Sequence, residues 1–384
     1  VKVAFVYYPH FPKLARLETM PFALNSVVAL DRSGLDVDLF LWEDENAEYS
    51  QIFSRNVTIK LYKEPDNLSM VNKLINKARI RAYSLRFQFQ FLSKYDCVFG
   101  LGQIGAYIAS ILSDHSQCPF VYYNDEFPSQ FEDNSTWTKI ECEIVKKSTL
   151  VVVPDEQRFP PLCQELNITS KPHVSLPNIP EKQSTENINW HQRLSIHPNS
   201  IPLLHAGSVA DWVQIPEILS SVPYWPEKTV LIIHTRSSKG MIAYRKQLSH
   251  LNIPDRIFWS MEPMSGKNLN SLVAYCAANF ALYRNSGANI EYMGFSSGKL
   301  MRSLAYGSPV IASNFRSLRF IEQYQLGSLV NHPSEIPKSI KKILKNREAY
   351  SQRCLNFCNN YTCFTRSWNE LCLTVKYLTG LDLT

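Results

Sequence analysis

SSGKLMRSLAYGSPVIAS, residues 296–313, packs a loop, a helix, a turn and a strand into one short span. Ser296 and Ser297 suit a helix N-cap, where a side-chain oxygen satisfies a backbone N–H that has no partner inside the helix. From Lys299 to Tyr306 the apolar residues Leu300, Met301, Leu304 and Ala305 fall on one helical face. Gly307 suits the left-handed position after a helix and Pro309 blocks its continuation. Val310, Ile311 and Ala312 then read as a short buried strand. Free N–H groups and the positive end of the dipole at such a helix start attract a diphosphate; Gly298 lets it come close and Lys299 adds a charge. The plainer alternative is an ordinary connection between a capped helix and a strand.

The same alternation extends to both sides. Upstream, strands are expected at Val1–Tyr7, Asp36–Trp42, Val57–Leu61, Asp96–Leu101, Pro119–Tyr123, Leu150–Val153 and His173–Leu176. Helical patterns lie between them over Met20–Arg32, Leu68–Ser93, Ile104–Ser113 and Thr136–Lys147. Pro180 to Ser200 is polar, rich in Asn, Gln, Glu and Ser, and reads as a linker. Strands then resume at Leu203–Gly207, Thr229–His234, Arg256–Trp259, Phe280–Tyr283, Val310–Ala312 and Ser328–Val330. The intervening helices include Met241–Leu251, Leu269–Ala277 and Ser334–Leu344, and Ser367–Tyr377 is a last amphipathic helix. Short apolar strands separated by helices imply α/β domains with parallel sheets covered on both faces. The expected organisation is a first domain over residues 1–180, a linker over 181–200, a second domain over 201–365 and a terminal helix over 366–384. Open parallel sheets bind ligands outside the carboxyl ends of their strands. Two such sheets facing each other would hold substrates between them, near His10, Glu126, Gly207, Ser208, His234, Arg236 and Arg284.

A chain of 384 residues is long for a single core, which favours two domains. Hydrophobic content of 45% and charged content of 19% describe an ordinary globular protein. No apolar run approaches the ~20 residues of a membrane span. Val1 to Tyr8 carries no cleavage-site pattern, so no signal peptide is expected. The nine cysteines include no Cys-x-x-Cys pair, and scattered thiols fit a reducing cytoplasm. Cys354, Cys358 and Cys363 lack the companion spacing of a metal site. Asp36 and Asp38 share one side of a strand and read as a polar face. Asn134-Ser135-Thr136 and Asn167-Ile168-Thr169 match the glycosylation pattern, which is common by chance. The net charge is +6, and Lys60, Lys63, Lys73, Lys77, Arg79, Arg81, Arg86 and Lys94 crowd one region among Leu74, Phe87 and Phe91. That region is either a basic amphipathic surface for an anionic membrane or acidic acceptor, or a core helix with a solvated basic face. No aromatic-basic module points to nucleic acid.

Nearly the whole chain resembles, in its order of elements, the two-Rossmann (GT-B fold) glycosyltransferases, especially the large retaining, family 4-like group that uses nucleotide-sugar donors, and its second domain carries the motif match. Those enzymes often carry Ser-x-Lys-Leu-x-Glu-x-x-Ala-x-Gly-x-Pro-Val-Ile-Ala. Lys299, Leu300, Ala305, Gly307, Pro309, Val310, Ile311 and Ala312 fit it. His205-Ala206-Gly207-Ser208 is similar to their first C-domain strand and glycine turn, Ile257–Ser260 to the strand bordering the nucleotide base, and the ending around Trp368 to a helix that crosses back to the first domain. The chain departs from the pattern at three points. Arg302 stands where a Glu usually bonds the ribose, Gly294 stands where its partner Glu falls, and the basic pair that usually follows Gly207 is missing. A guanidinium donates only and cannot replace a carboxylate that accepts two hydroxyl protons.

The resemblance implies transfer of a sugar from a nucleoside-diphosphate donor to an acceptor hydroxyl, with retention and without metal, the donor being a substrate and no further cofactor being needed. The acceptor would be a glycan, a lipid-linked molecule or a small molecule. Negative charge grows on the departing diphosphate and must be stabilised electrostatically. The groups assigned to that task are the amides at Ser297, Gly298 and Lys299 with Ser296 beside them, the Lys299 ammonium, the turn Gly207–Ser208, and one of Arg236, Arg284 or Arg302, whose planar forks suit phosphate. The first domain would hold the acceptor. Glu126, after the strand Pro119–Tyr123, is the leading candidate for contacting an acceptor hydroxyl or acting as base, with Asp125 next to it and His10 in the loop after the first strand. Two other readings stay open: a nucleotide-sugar epimerase on the same scaffold, and a binding protein that keeps the fold without catalysis.

Overall fold

A computed structural model describes residues 1–8, 17, 20–42, 52–62, 93–128, 134–169, 171–181, 185–210 and 212–384. His10, the helical pattern Leu68–Ser93 and most of the basic region lie outside the described residues. The others form two all-parallel sheets. The first comprises β1 (Lys2–Tyr7), β2 (Asp36–Trp42), β3 (Val57–Tyr62), β4 (Cys97–Leu101), β5 (Phe120–Tyr123), β6 (Leu150–Val153) and β7 (His173–Ser175), in the order β3-β2-β1-β4-β5-β6-β7. The second comprises β8 (Ile201–Ala206), β9 (Thr229–His234), β10 (Ile257–Ser260), β11 (Asn279–Ala281), β12 (Val310–Ser313) and β13 (Gly327–Val330), in the order β10-β9-β8-β11-β12-β13. In both sheets the order reverses beside the first strand, between β1 and β4 and between β8 and β11. Ligands of open α/β sheets sit at such reversals, outside the carboxyl ends of the strands.

The strands form where the sequence is continuously apolar, because both faces are covered. Every residue of β4, β5, β6 and β12 is buried. In the first sheet the helix Gly102–Ser116 lies so close to β1 that a Cβ on Gly105 would stand 2.9 Å from the Val6 carbonyl oxygen. Phe5, Phe99 and Tyr123 form an aromatic core, and Trp368, Leu371, Cys372 and Val375 of the helix Phe364–Thr379 join the same cluster.

The chain divides into two compact units: unit 1 is Val1–Asn178 with Phe364–Thr384, and unit 2 is Ile179–Cys363. The polar stretch Pro180 to Ser200 is therefore not a free tether. Trp190 within it is fully buried, and its Nε1 donates to Ser271 Oγ at 3.1 Å. Ser271 in turn donates to the Glu186 carbonyl at 2.6 Å, so one tryptophan anchors a polar segment to unit 2. The polar composition hid this, because one large apolar side chain supplies most of the burial.

Asp38 has a structural role. Its buried carboxylate accepts from Tyr95 OH at 2.8 Å and lies 3.5 Å from the Lys2 amine and 3.9 Å from that of Lys60. All nine cysteines are unpaired thiols. Cys354 and Cys358 are buried together on the helix Arg347–Tyr361, and burial pushes the Cys358 thiol up to about 12. Among the described residues no three His, Cys, Asp or Glu side chains converge as metal ligands, and no helix is long and apolar enough to cross a membrane.

Candidate functional site

In unit 2 the order reversal between β8 and β11 carries a compact group of side chains. The helix Gly298–Ala305 begins there with Ser297 as N-cap, whose hydroxyl accepts from Leu300 N at 3.4 Å. Its first amides, at Gly298 and Lys299, have no acceptor within the helix. Ser296 instead folds onto its own turn, donating its hydroxyl to the Met293 carbonyl. Across from the helix start, Gly207 follows β8 at φ +128°, and a Cβ there would stand 3.1 Å from Lys299 Cε. Only glycine gives this turn its backbone angle and leaves the lysine its room.

Lys299 Nζ lies 3.4 Å from His205 Nε2 and 5.2 Å from the centroid of the Tyr283 ring. His205 is fully buried, and its Nε2 lies 3.0 Å from the Ser208 carbonyl while Nδ1 has no partner. The carbonyl can only accept, so Nε2 carries the proton. Burial, reinforced by the Lys299 charge, holds the imidazole well below its usual range and therefore neutral. The lysine amine thus faces an N–H and an aromatic ring. No carboxylate among the described residues pairs with it, and burial pushes it down to about 7. Burial raises the Tyr283 phenol, opposed by the nearby Ser297 side chain at the helix start.

The other basic candidates are dispersed. Arg284 forms an ion pair with Glu217, and its backbone N donates to the Trp212 carbonyl at 2.9 Å. Arg302 donates to Asn270 Oδ1 at 3.0 Å on the helix Gly266–Tyr275, which engages it away from the helix start. Arg236 is exposed after β9, and its charge adds to burial in lowering the neighbouring His234. His234 itself lies 3.1 Å from Ser260 Oγ.

In unit 1, Asp125 and Glu126 follow β5. Glu126 is exposed and Asp125 half-buried. Asp125 lies against the start of the helix Gly102–Ser116, where a Cβ on Gly102 would meet both carboxylate oxygens at 3.3 Å. Burial, then the charge of Glu126, raises Asp125 to about 7. Desolvation by the surrounding loop also raises Glu126, opposed by the Arg158 charge. Arg158 is buried, donates to the Asp125 carbonyl at 3.1 Å and lies over the Phe127 ring at 4.6 Å. Beneath the pair, the buried Glu141 accepts from Gln103 Nε2 at 2.7 Å and from the Tyr122 hydroxyl, and burial raises it to about 8. Asn124 donates to Tyr122 OH at 3.2 Å and to the Glu126 carbonyl at 2.9 Å, which fixes the loop.

Of the residues singled out in the sequence, Lys299 and Gly207 meet in unit 2, and Asp125 and Glu126 lie side by side in unit 1. Sequence reasoning missed Tyr283, Trp212, Glu217, Arg158 and Glu141. The available signal for Tyr283 was its position at the end of an expected strand, directly before the candidate Arg284. Glu141 and Arg158 lie on helical segments and gave none.

No protein-family model matches the sequence, and no curated protein does. Solved structures do match. HepE from Anabaena, in complex with UDP and glucose, superposes with a TM-score of 0.69 at 14% identity over 98% of this chain and 99% of its own. Sucrose-phosphate synthase from Thermosynechococcus elongatus gives 0.73 at 12% identity over 98% of each chain. This is the GT-B fold. A protein assigned as a UDP-N-acetylglucosamine 2-epimerase, from Listeria monocytogenes, shares the GT-B likeness with a TM-score of 0.64 at 12% identity over 100% of this chain and 98% of its own.

Proposed function

We propose that the chain is a glycosyltransferase that moves a sugar from a nucleoside-diphosphate donor held by unit 2 to an acceptor hydroxyl held by unit 1. The observation that carries the reading is the Lys299 amine. It is drawn into a recess at a helix start, beside a neutral imidazole and an aromatic ring, with no carboxylate partner among the described residues. A partly buried cation without a counter-charge is costly, and a diphosphate at the helix start would supply that charge. In transfer, bond cleavage leaves negative charge on the diphosphate, which Lys299 and the amides of Gly298 and Lys299 stabilise. Asp125 or Glu126 removes the acceptor proton. Retention and independence from metal are what the sequence resemblance to the family 4-like group implies, and the nine unpaired thiols support a cytoplasmic setting.

The test is a thermal-shift screen with UDP, GDP, ADP and their glucose conjugates, since a ligand of the native state raises the melting temperature. At least one pair should stabilise the protein, and Lys299→Ala should abolish that shift while leaving the unliganded protein folded. Unchanged binding in Lys299→Ala would end the assignment. The Listeria likeness favours one second reading, an epimerase. Incubation with the donor alone separates the two, because an epimerase converts it without an acceptor.

A further inference from the structure

Beside the Lys299 recess stands an aromatic surface that the donor reading leaves unused. Trp212 is 40% exposed, and its ring lies parallel to Tyr283, with centroids 5.7 Å apart and planes 8° off. Tyr283 is the same ring over which Lys299 Nζ lies. The backbone at Trp212 is held, since its carbonyl accepts from Arg284 N and Val213 N donates to the Ala210 carbonyl at 2.9 Å, and the ring itself rests on Tyr283. Next to it, Glu217 is paired through Oε1 with the half-exposed Arg284, while Glu217 Oε2 is buried without a donor among the described residues. The cluster thus joins an anchored flat apolar face to a side-by-side acceptor and donor, within two ring spacings of the amine assigned to the diphosphate.

We infer that Trp212 is the platform for the donor's sugar, its exposed indole stacking on the apolar face of the pyranose while Glu217 and Arg284 meet the ring hydroxyls. This rests on the donor reading above. A pyranose presents C–H groups on one face and vicinal hydroxyls at its rim. A carboxylate accepts from one hydroxyl and a guanidinium donates to the next. A nucleobase would also stack on the indole, and the comparison of bare nucleotide with conjugate below separates the two.

The experiment is calorimetric titration of wild type, Trp212→Leu and Trp212→Phe with UDP, GDP and ADP, each against its glucose conjugate. Melting curves show that both variants fold. For the pair that binds, Trp212→Leu should weaken the conjugate about three- to tenfold, the size of one aromatic contact, and leave the bare nucleotide unchanged. Trp212→Phe should keep most of the conjugate's affinity. Equal weakening of nucleotide and conjugate overturns the inference, because the indole then serves the base or the phosphates. So does an unaltered conjugate affinity in Trp212→Leu, with the donor reading still standing. If wild type binds none of the six probes, the donor reading falls and the sugar platform with it.

Discussion

The Lys299 amine, when charged, carries a stability cost that a bound anion would relieve. In the unfolded chain a lysine titrates near ~10.4; here burial lowers it to about 7. Below that value both states hold the proton and the native state carries the whole burial penalty. Between about 7 and ~10 the unfolded chain holds more protons, so this contribution to stability improves as pH rises. Lys299→Met should therefore melt above wild type at pH 6, with the gap closing toward pH 10 in calorimetric scans, while nucleotide binding is lost. On the acceptor side, Glu126→Gln should lower kcat by ~10²-fold or more with donor affinity unchanged. Asp125 is raised to about 7, so a base there is charged only above that pH. If Glu126→Gln is fully active and Asp125→Asn removes a rate limb that rises through pH 7, the base is Asp125.

At the scale of elements, close approach does the positioning. Gly207→Ala puts a side chain at φ +128° and 3.1 Å from Lys299 Cε. It should cost on the order of 1 kcal/mol or more of stability and weaken nucleotide binding in the same titration. Trp190→Ala should cost roughly 3–5 kcal/mol, as for a large buried side chain, and hydrogen exchange should rise across unit 2. Strands such as β5 and β6 were legible in the sequence because both faces are covered and the chain is apolar without a break. Their ends shifted by a residue or two where a turn residue continues the ladder, as Ser260 and Ser313 do. The helix start at Ser297 was legible from its cap. The partners of Lys299 were not, because His205, Tyr283 and Gly207 converge only when β8 and β11 pair. Arg302 pairs with Asn270 from a separate helix, and no spacing in the sequence announces that contact.

At the scale of the molecule, the helix Phe364–Thr379 completes unit 1 although unit 2 precedes it in the chain. Deleting residues 364–384 should uncover the helix Pro21–Arg32 and β7, against which the terminal helix packs, and limited proteolysis should then cut unit 1 faster while unit 2 stays resistant. The GT-B likeness spans both units at 12–14% identity, as expected if paired sheets and their order reversals persist while side chains drift. The return of that helix also bears on synthesis. Residues 1–178 leave the ribosome first, yet their core lacks Trp368, Leu371 and Val375 until the tail emerges. The contiguous stretch 179–363 can reach its native form earlier. The half translated first is therefore the half that matures last, and during that interval its bare apolar face is the part of the nascent polypeptide most in need of a chaperone.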